Sequence, residues 1–158
     1  MTTSITTFLT YDTQAEAAAT LYTSLFEGKI KETMRYPAGG PRPEGSVLSV
    51  TFELLGQTYI ALNGGPSFTF GQGFSLMVQV DTQTEIDRLW HKLTERGGKA
   101  VQCGWLVDEF GVSWQIVPSQ LGGMLSDKDR AKSGRAMQAM MGMQKLDLAK
   151  LKAAFDGV

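Results

Sequence analysis

Cys103-Gly104-Trp105-Leu106-Val107-Asp108-Glu109-Phe110-Gly111-Val112-Ser113-Trp114-Gln115-Ile116-Val117-Pro118 contains two apolar runs, 105–107 and 112–117, separated by a short acidic segment that ends in glycine. Both runs are β-branched and aromatic, and the segment between them is too short for a helix. The pattern predicts a β-hairpin, with Gly111 supplying a positive φ and Pro118 closing the second strand. Alternation places Trp114 and Ile116 on one face of that strand, and Ser113, Gln115 and Val117 on the other. Gln115 is a polar side chain in an otherwise core-like strand, so it lines a cavity or meets solvent.

Working back from the hairpin, residues 74–80 predict a strand with Leu76, Val78 and Val80 on one face and Ser75, Met77 and Gln79 on the other. Thr82 or Thr84 then caps a helix running to Arg96, with Ile86, Leu89, Trp90 and Leu93 at helical spacing and Gly97-Gly98 as its stop. A short strand over 100–102 leads into the hairpin. The same order is found in the first half. Residues 5–11 predict a strand. Asp12 or Thr13 caps a helix over 14–26, with Ala15, Ala18, Leu21, Tyr22 and Leu25 on one side and Gly28 at its C-terminal end. Residues 29–36 predict a weak strand. Residues 46–55 alternate most clearly, with Leu48, Val50, Phe52 and Leu54 opposed to Val47, Ser49, Thr51 and Glu53. A Gly56-Gln57 turn leads to a partner over 58–63, where Ile60 and Leu62 point one way and Tyr59, Ala61 and Asn63 the other. The order β-α-β-β-β therefore occurs twice. Residues 37–45 hold three of the five prolines and cannot be regular structure; they form either a lid or a solvated connection.

Beyond Pro118 the pattern turns helical. Ser126 to Asp129 resembles a capping box ahead of Met137, Met140 and Met141, and Asp147 caps a last helix carrying Leu148, Leu151 and Phe155. The methionines suit core packing or a subunit contact, or else a plastic binding surface. The expected organisation is one domain over 1–158, with modules at 5–66 and 73–119 and C-terminal helices over 124–157.

Composition narrows the function classes. The 158 residues are 42% hydrophobic and 20% charged, with a net charge of −1, which gives no electrostatic reason to expect nucleic acid or an anionic membrane as partner. The single cysteine cannot form an internal disulfide, which suits a reducing cytoplasm. No secretory signal is seen, and no apolar run reaches the ~18 residues of a membrane span. The expectation is a cytoplasmic protein.

Paired βαβββ units resemble the vicinal oxygen chelate superfamily of glyoxalase I, extradiol dioxygenases and bleomycin-resistance proteins. The Asp108-Glu109-Phe110-Gly111-Val112 turn is similar to the Asp-Pro-Asp-Gly-Asn turn before that superfamily's final strand. Cys103-Gly104-Trp105, the block from Gly111 to Pro118, Ala61-Leu62-Asn63-Gly64-Gly65-Pro66 and Met137-Gln138-Ala139-Met140 resemble its PhnB-like branch, often labelled 3-demethylubiquinone-9 3-methyltransferase. The resemblance implies an α+β fold in which two modules curl mixed sheets into a cup, with helices outside. Leu48, Val50, Ile60, Leu62, Leu76, Val78, Trp114 and Ile116 would face the helices. Thr7, Tyr59, Asn63, Ser75, Met77 and Gln115 would face the cup, with Cys103 and Trp105 at its wall.

The superfamily's enzymes hold a divalent metal through His and Glu. The corresponding positions here fall on Thr7, Asn63, Ser75 and Gln115, none of them an anionic or imidazole ligand, so no tightly held metal and no other cofactor is expected. The only histidine, His91, lies mid-helix. The glycine pairs lie in turns between short antiparallel strands, which argues against a usual S-adenosylmethionine site. Cys103 lacks a nearby base in sequence, which favours a structural thiol over a nucleophile. Glu53 is the only carboxylate with cup-facing parity. These features point to a metal-free pocket for a small, flat or aromatic molecule in a homodimer, with no catalytic residue assigned. Two other classes remain: an enzyme of the superfamily (the labelled methyltransferase or a metal-dependent activity), and an interaction protein acting through its Met-rich tail.

Overall fold

The computed structural model of the chain describes residues 2–158, which divide into two compact units, one ending at Phe70 and the other running from Gly71 to Val158. The first unit contains β1 (Thr7–Tyr11), α1 (Ala15–Leu25), β2 (Gly28–Arg35), β3 (Val47–Leu54) and β4 (Gln57–Asn63). The second contains β5 (Leu76–Val80), α2 (Gln83–Thr94), β6 (Lys99–Ala100), β7 (Trp105–Val107) and β8 (Ser113–Pro118). Three helices follow, α3 (Leu121–Leu125), α4 (Arg130–Met141) and α5 (Leu148–Asp156). Each βαβββ module forms a four-stranded mixed sheet with the same strand order, β1-β4-β3-β2 and β5-β8-β7-β6. In both, the first strand runs parallel to the last, as the crossover through a helix requires. This is the expected α+β architecture of two modules followed by C-terminal helices. Among the described residues, no helix is long and apolar enough to cross a membrane.

In the first unit α1 packs on β2, β3 and β4. Its inward residues Ala15, Ala18, Ala19, Tyr22 and Leu25 are buried, and the small alanines let the helix lie close to the sheet. Across the sheet they meet Leu9, Tyr11, Val50, Phe52 and Ala61, each at most 2% exposed. Tyr22, Phe52 and Tyr59 form a ring series, with centroids 6.2 Å and 5.6 Å apart. Such pairs contribute about 0.5–1.5 kcal/mol beyond their buried area.

This packing corrects the orientation expected for β4. Thr7, Tyr59 and Asn63 lie on the α1 face, and Ile60 and Leu62 on the opposite one, which Phe8 and Ser49 share through the strand register. The expectation rested on the size of Ile60 and Leu62, but the turn overrules it. Leu55 and Gly56, both at positive φ, form a two-residue turn that pairs Leu54 with Gln57 and Phe52 with Tyr59. Directly paired residues share a face, so the odd-numbered residues of β4 follow Phe52 and Leu54 toward the helix.

Two caps also differ from expectation. Neither Asp12 nor Thr13 caps α1; Asn63 Oδ1 accepts the Ala15 N–H at 2.9 Å from the neighbouring strand. Gly28 does not end the helix but opens β2; a Cβ there would run into the Glu53 carbonyl oxygen. Ile5, expected in β1, lies outside it and is exposed.

In the second unit the predicted parity holds. Leu76, Trp114 and Leu106 share one row across the sheet, with Val78 and Ile116 in the next. Ile86, Leu89 and Leu93 of α2 are the helix's buried residues, and α2 packs on β7 and β8. Thr82 caps the helix through the Glu85 N–H. The predicted hairpin is present, with Gly111 at φ +92°. Asp108 organises its loop: one carboxylate oxygen accepts the Phe110 and Val112 N–H groups and the other accepts the Trp114 indole N–H at 2.9 Å.

The C-terminal helices have their own core of Leu121, Met124, Ala136, Leu146, Leu148 and Leu151, joined by Val117 of β8. Asp147 caps α5 as expected, but no capping box starts at Ser126, which ends α3; α4 is capped by Asp129, whose carboxylate accepts the Ala131 and Lys132 N–H groups. α3 was not expected from the sequence, because its Gly122-Gly123 pair opposes helix formation; burial of Leu121 and Met124 compensates. Of the three methionines, Met140 packs against this core while Met137 and Met141 are exposed.

Candidate functional site

The face of the second sheet opposite Trp114 and Ile116 carries three of the eight residues expected to line a pocket, with Ser75 beside them and Cys103 at the corner before β7; of these five, only Cys103 and Trp105 line a cavity. Trp105, Gln115 and Met77 are consecutive partners across β7, β8 and β5. Ser75, just before β5, accepts a 3.0 Å hydrogen bond from the Gln115 amide. At the β7 side, Cys103 and Trp105 line a pocket of ≈ 300 Å³ together with Gln72, Val101, Gln102, Leu106, Val107 and Ser113. That volume is at the lower end of small-molecule sites.

The corner that carries Cys103 is tightly built. Cys103 and Gly104 have φ values of +60° and +83°, consecutive left-handed residues that reverse the chain between β6 and β7. Gly104 is required there, because a Cβ would lie 3.0 Å from both the Ile116 carbonyl oxygen and a Leu146 methyl. Val101 N–H donates to the Trp105 carbonyl, and Trp105 N–H to that of Gln102, closing the loop.

The other three expected residues belong to the first unit and its helix face. Asn63 is 6% exposed, and both ends of its amide are engaged, by Ala15 N–H and by the Val47 carbonyl. The Tyr59 hydroxyl donates to Gln57 at 2.7 Å, and burial pushes its phenol above the ordinary value of 10.0. Thr7 pairs with Tyr59 on that face. Glu53 is paired with Lys31 at 2.9 Å; that hydrogen bond and charge hold its carboxyl below the ordinary 4.5. His91 is an exposed helical residue beside Glu95.

The donor set does not fit a divalent transition metal. Thr7, Asn63, Ser75 and Gln115 offer hydroxyls and neutral amides, weak ligands for such an ion, and the Asn63 amide is already committed at both ends. Among the described residues, no group of three His, Cys, Asp or Glu side chains converges. Nor do the strand-to-helix turns fit a nucleotide-type cofactor. Residues 12–14 and 81–82 contain no glycine, and neither sheet is doubly wound.

Sequence reasoning did not assign Gln72, Val101, Gln102, Leu106, Val107 and Ser113 to the pocket. Val107 and Ser113 were within reach, since they share the parity of Trp105 and Gln115. Gln72 and Gln102 lie in loops, where no period places a side chain.

Comparison with known proteins gives a consistent picture. The family described as 3-demethylubiquinone-9 3-methyltransferase matches residues 3–117. A Bacillus cereus PhnB protein of that description is 38% identical, with 74% of this chain covering 100% of that one at a TM-score of 0.67. Protein PA1353 from Pseudomonas aeruginosa, 20% identical, shares the fold at a TM-score of 0.60, with 74% of this chain covering 98% of it. The fosfomycin resistance protein FosX from Listeria monocytogenes, 10% identical, shares the fold at 0.51, with coverage of 77% and 97%. No functionally curated protein matches. On the strength of the family match and of the PhnB relative from Bacillus cereus, the chain belongs to the 3-demethylubiquinone-9 3-methyltransferase family.

Proposed function

We propose that this protein binds a small, flat, aromatic molecule in the pocket of its second module without help from a metal. The observation that carries this reading is the ≈ 300 Å³ pocket walled by Trp105, Val101 and Val107, with the Gln72 and Gln102 amides and the Ser113 hydroxyl among its lining groups. An apolar wall with few polar groups is the usual composition of a small-molecule site. Trp105 supplies a ring for stacking, and the amides supply donors and acceptors for a polar edge.

Cys103 makes the reading testable, because it is the only cysteine in the chain and lines the pocket. A thermal-shift screen of aromatic carboxylates and phenols would supply ligands; one present at ~100 times its Kd should add about 2.7 kcal/mol to stability. Such a ligand should also slow the reaction of Cys103 with 5,5′-dithiobis(2-nitrobenzoate), and Trp105→Ala should abolish both effects. Stabilisation that leaves the Cys103 rate unchanged would place the ligand elsewhere and refute this site.

The second reading is the methyl transfer named in the family description, supported by the match over residues 3–117. Calorimetric titration with S-adenosylmethionine separates the two, since measurable binding would favour the enzyme. We further propose a cytoplasmic homodimer in which a second copy covers exposed apolar side chains such as Phe8 and Met77, 54% and 55% exposed.

A further inference from the structure

Residues 118–158 lie beyond the family match, which ends at residue 117, yet part of this extension is fastened to the wall of the pocket. The Cys103 N–H donates to the Met143 carbonyl and the Gly104 N–H to that of Gln144, both at 2.8 Å. Leu146, fully buried, packs where a side chain on Gly104 would stand. The segment is anchored in turn to α2. The Gln83 side chain donates to the Leu146 carbonyl at 3.0 Å and accepts the Leu148 N–H at 2.8 Å, and Lys145 pairs with Asp87 at 2.7 Å. Placing Cys103, a non-glycine residue, at a φ of +60° is costly in conformational terms, whereas Gly104 adopts its positive φ freely. The corner is held here by backbone acceptors that the matched part of the chain does not supply.

We propose that segment 143–148 is a strut that sets the position of Cys103 in the pocket wall, so that the affinity of the pocket depends on the C-terminal extension. Gln83 is then a positioning residue: it acts on the wall through Leu146 and does not line the pocket. The affinity part of this inference rests on the binding function proposed above.

The test uses the full chain, with Gln83→Ala to release the strut and Gln83→Glu to keep the acceptor for Leu148 while losing the donor to Leu146. Two quantities are measured well below the melting temperature: the rate of Cys103 with 5,5′-dithiobis(2-nitrobenzoate), and the affinity for the aromatic probe 8-anilinonaphthalene-1-sulfonate that is lost in Trp105→Ala. In Gln83→Ala the thiol should react about tenfold faster and the probe bind about tenfold more weakly, equivalent to about 1.4 kcal/mol. Gln83→Glu sets a carboxylate against both the Leu146 carbonyl and Asp87, to which the Gln83 amide donates, and should change both quantities at least as much as Gln83→Ala. A role confined to overall stability would lower the melting temperature and leave both quantities at their wild-type values, which overturns the proposal. A faster thiol with unchanged probe affinity also overturns it, because the wall would then move without affecting binding. If the wild type shows no Trp105-dependent probe binding, it is the binding function that fails; the strut is then judged on the thiol rate alone. Should Gln83→Ala not fold, Lys145→Ala, which removes only a half-exposed ion pair, is measured in its place with a smaller change in the same direction.

Discussion

At the scale of single residues, two buried polar side chains tie separate stretches of backbone together. Asn63 closes the N-terminal end of α1 and ties β4 to Val47 through the two ends of one amide. Asn63→Ala would remove the side-chain acceptor of the buried Ala15 N–H and the donor to the Val47 carbonyl, so it should lower stability by about 2 kcal/mol in urea denaturation. A loss within experimental error would mean that water takes over both bonds. Asp108 is more heavily used, accepting two loop N–H groups and the Trp114 indole while only 3% exposed. Asp108→Asn replaces one acceptor oxygen by a donor and sets N–H against N–H. It should cost about 1–3 kcal/mol and shift Trp114 emission, whereas an unchanged spectrum would show that the loop rearranges around the amide. The aspartate in this turn was legible from the sequence as part of the hairpin signature. The role of Asn63 was not, because its partner Ala15 lies 48 positions away and no local rule assigns a cap across that distance.

Between elements, the informative contact is that of segment 143–148 with α2. The Lys145 hydrogen bond, followed by that of Gln83, holds the Asp87 carboxyl below its ordinary value of 3.8. A carboxyl depressed in the folded state contributes stability that is complete above the unfolded value and is lost as pH falls through the folded one. The contact should therefore weaken only on the acid side of 3.8. Lys145→Met should move the Asp87 midpoint up toward that value, read from its carboxyl carbon shift by NMR. A midpoint that stays depressed would assign the effect to Gln83 alone. Element order and the faces of β5, β8 and α2 were legible because each alternates or repeats strongly over its own length. The face of β4 was misjudged because side-chain size and turn parity pointed in opposite directions there, and the turn constrains every residue of the strand at once.

At the scale of the whole molecule, the proposed homodimer predicts a solution mass twice that of the chain by light scattering. Phe8→Lys, which charges an exposed ring, should shift that mass toward the monomer while far-ultraviolet circular dichroism is unchanged. A monomeric wild type at every concentration would leave those apolar side chains simply solvated. The exposure of Met137 and Met141 in α4 makes them a second place at which a contact would be read: Met137→Lys should leave the mass unaltered if Phe8 dominates.

The sequence by itself determined the repeated βαβββ order, the hairpin and its Gly111 turn, and the Asp147 cap of α5. These depend on alternation, helical spacing and local backbone chemistry, all of which act between near neighbours. Only the tertiary structure decided that Asn63 is a helix cap, that Gln72 and Gln102 line the pocket beside Cys103 and Trp105, and that Leu146 braces Gly104. Each of these contacts joins parts of the chain with no shared period, and it is three-dimensional packing that brings them within reach.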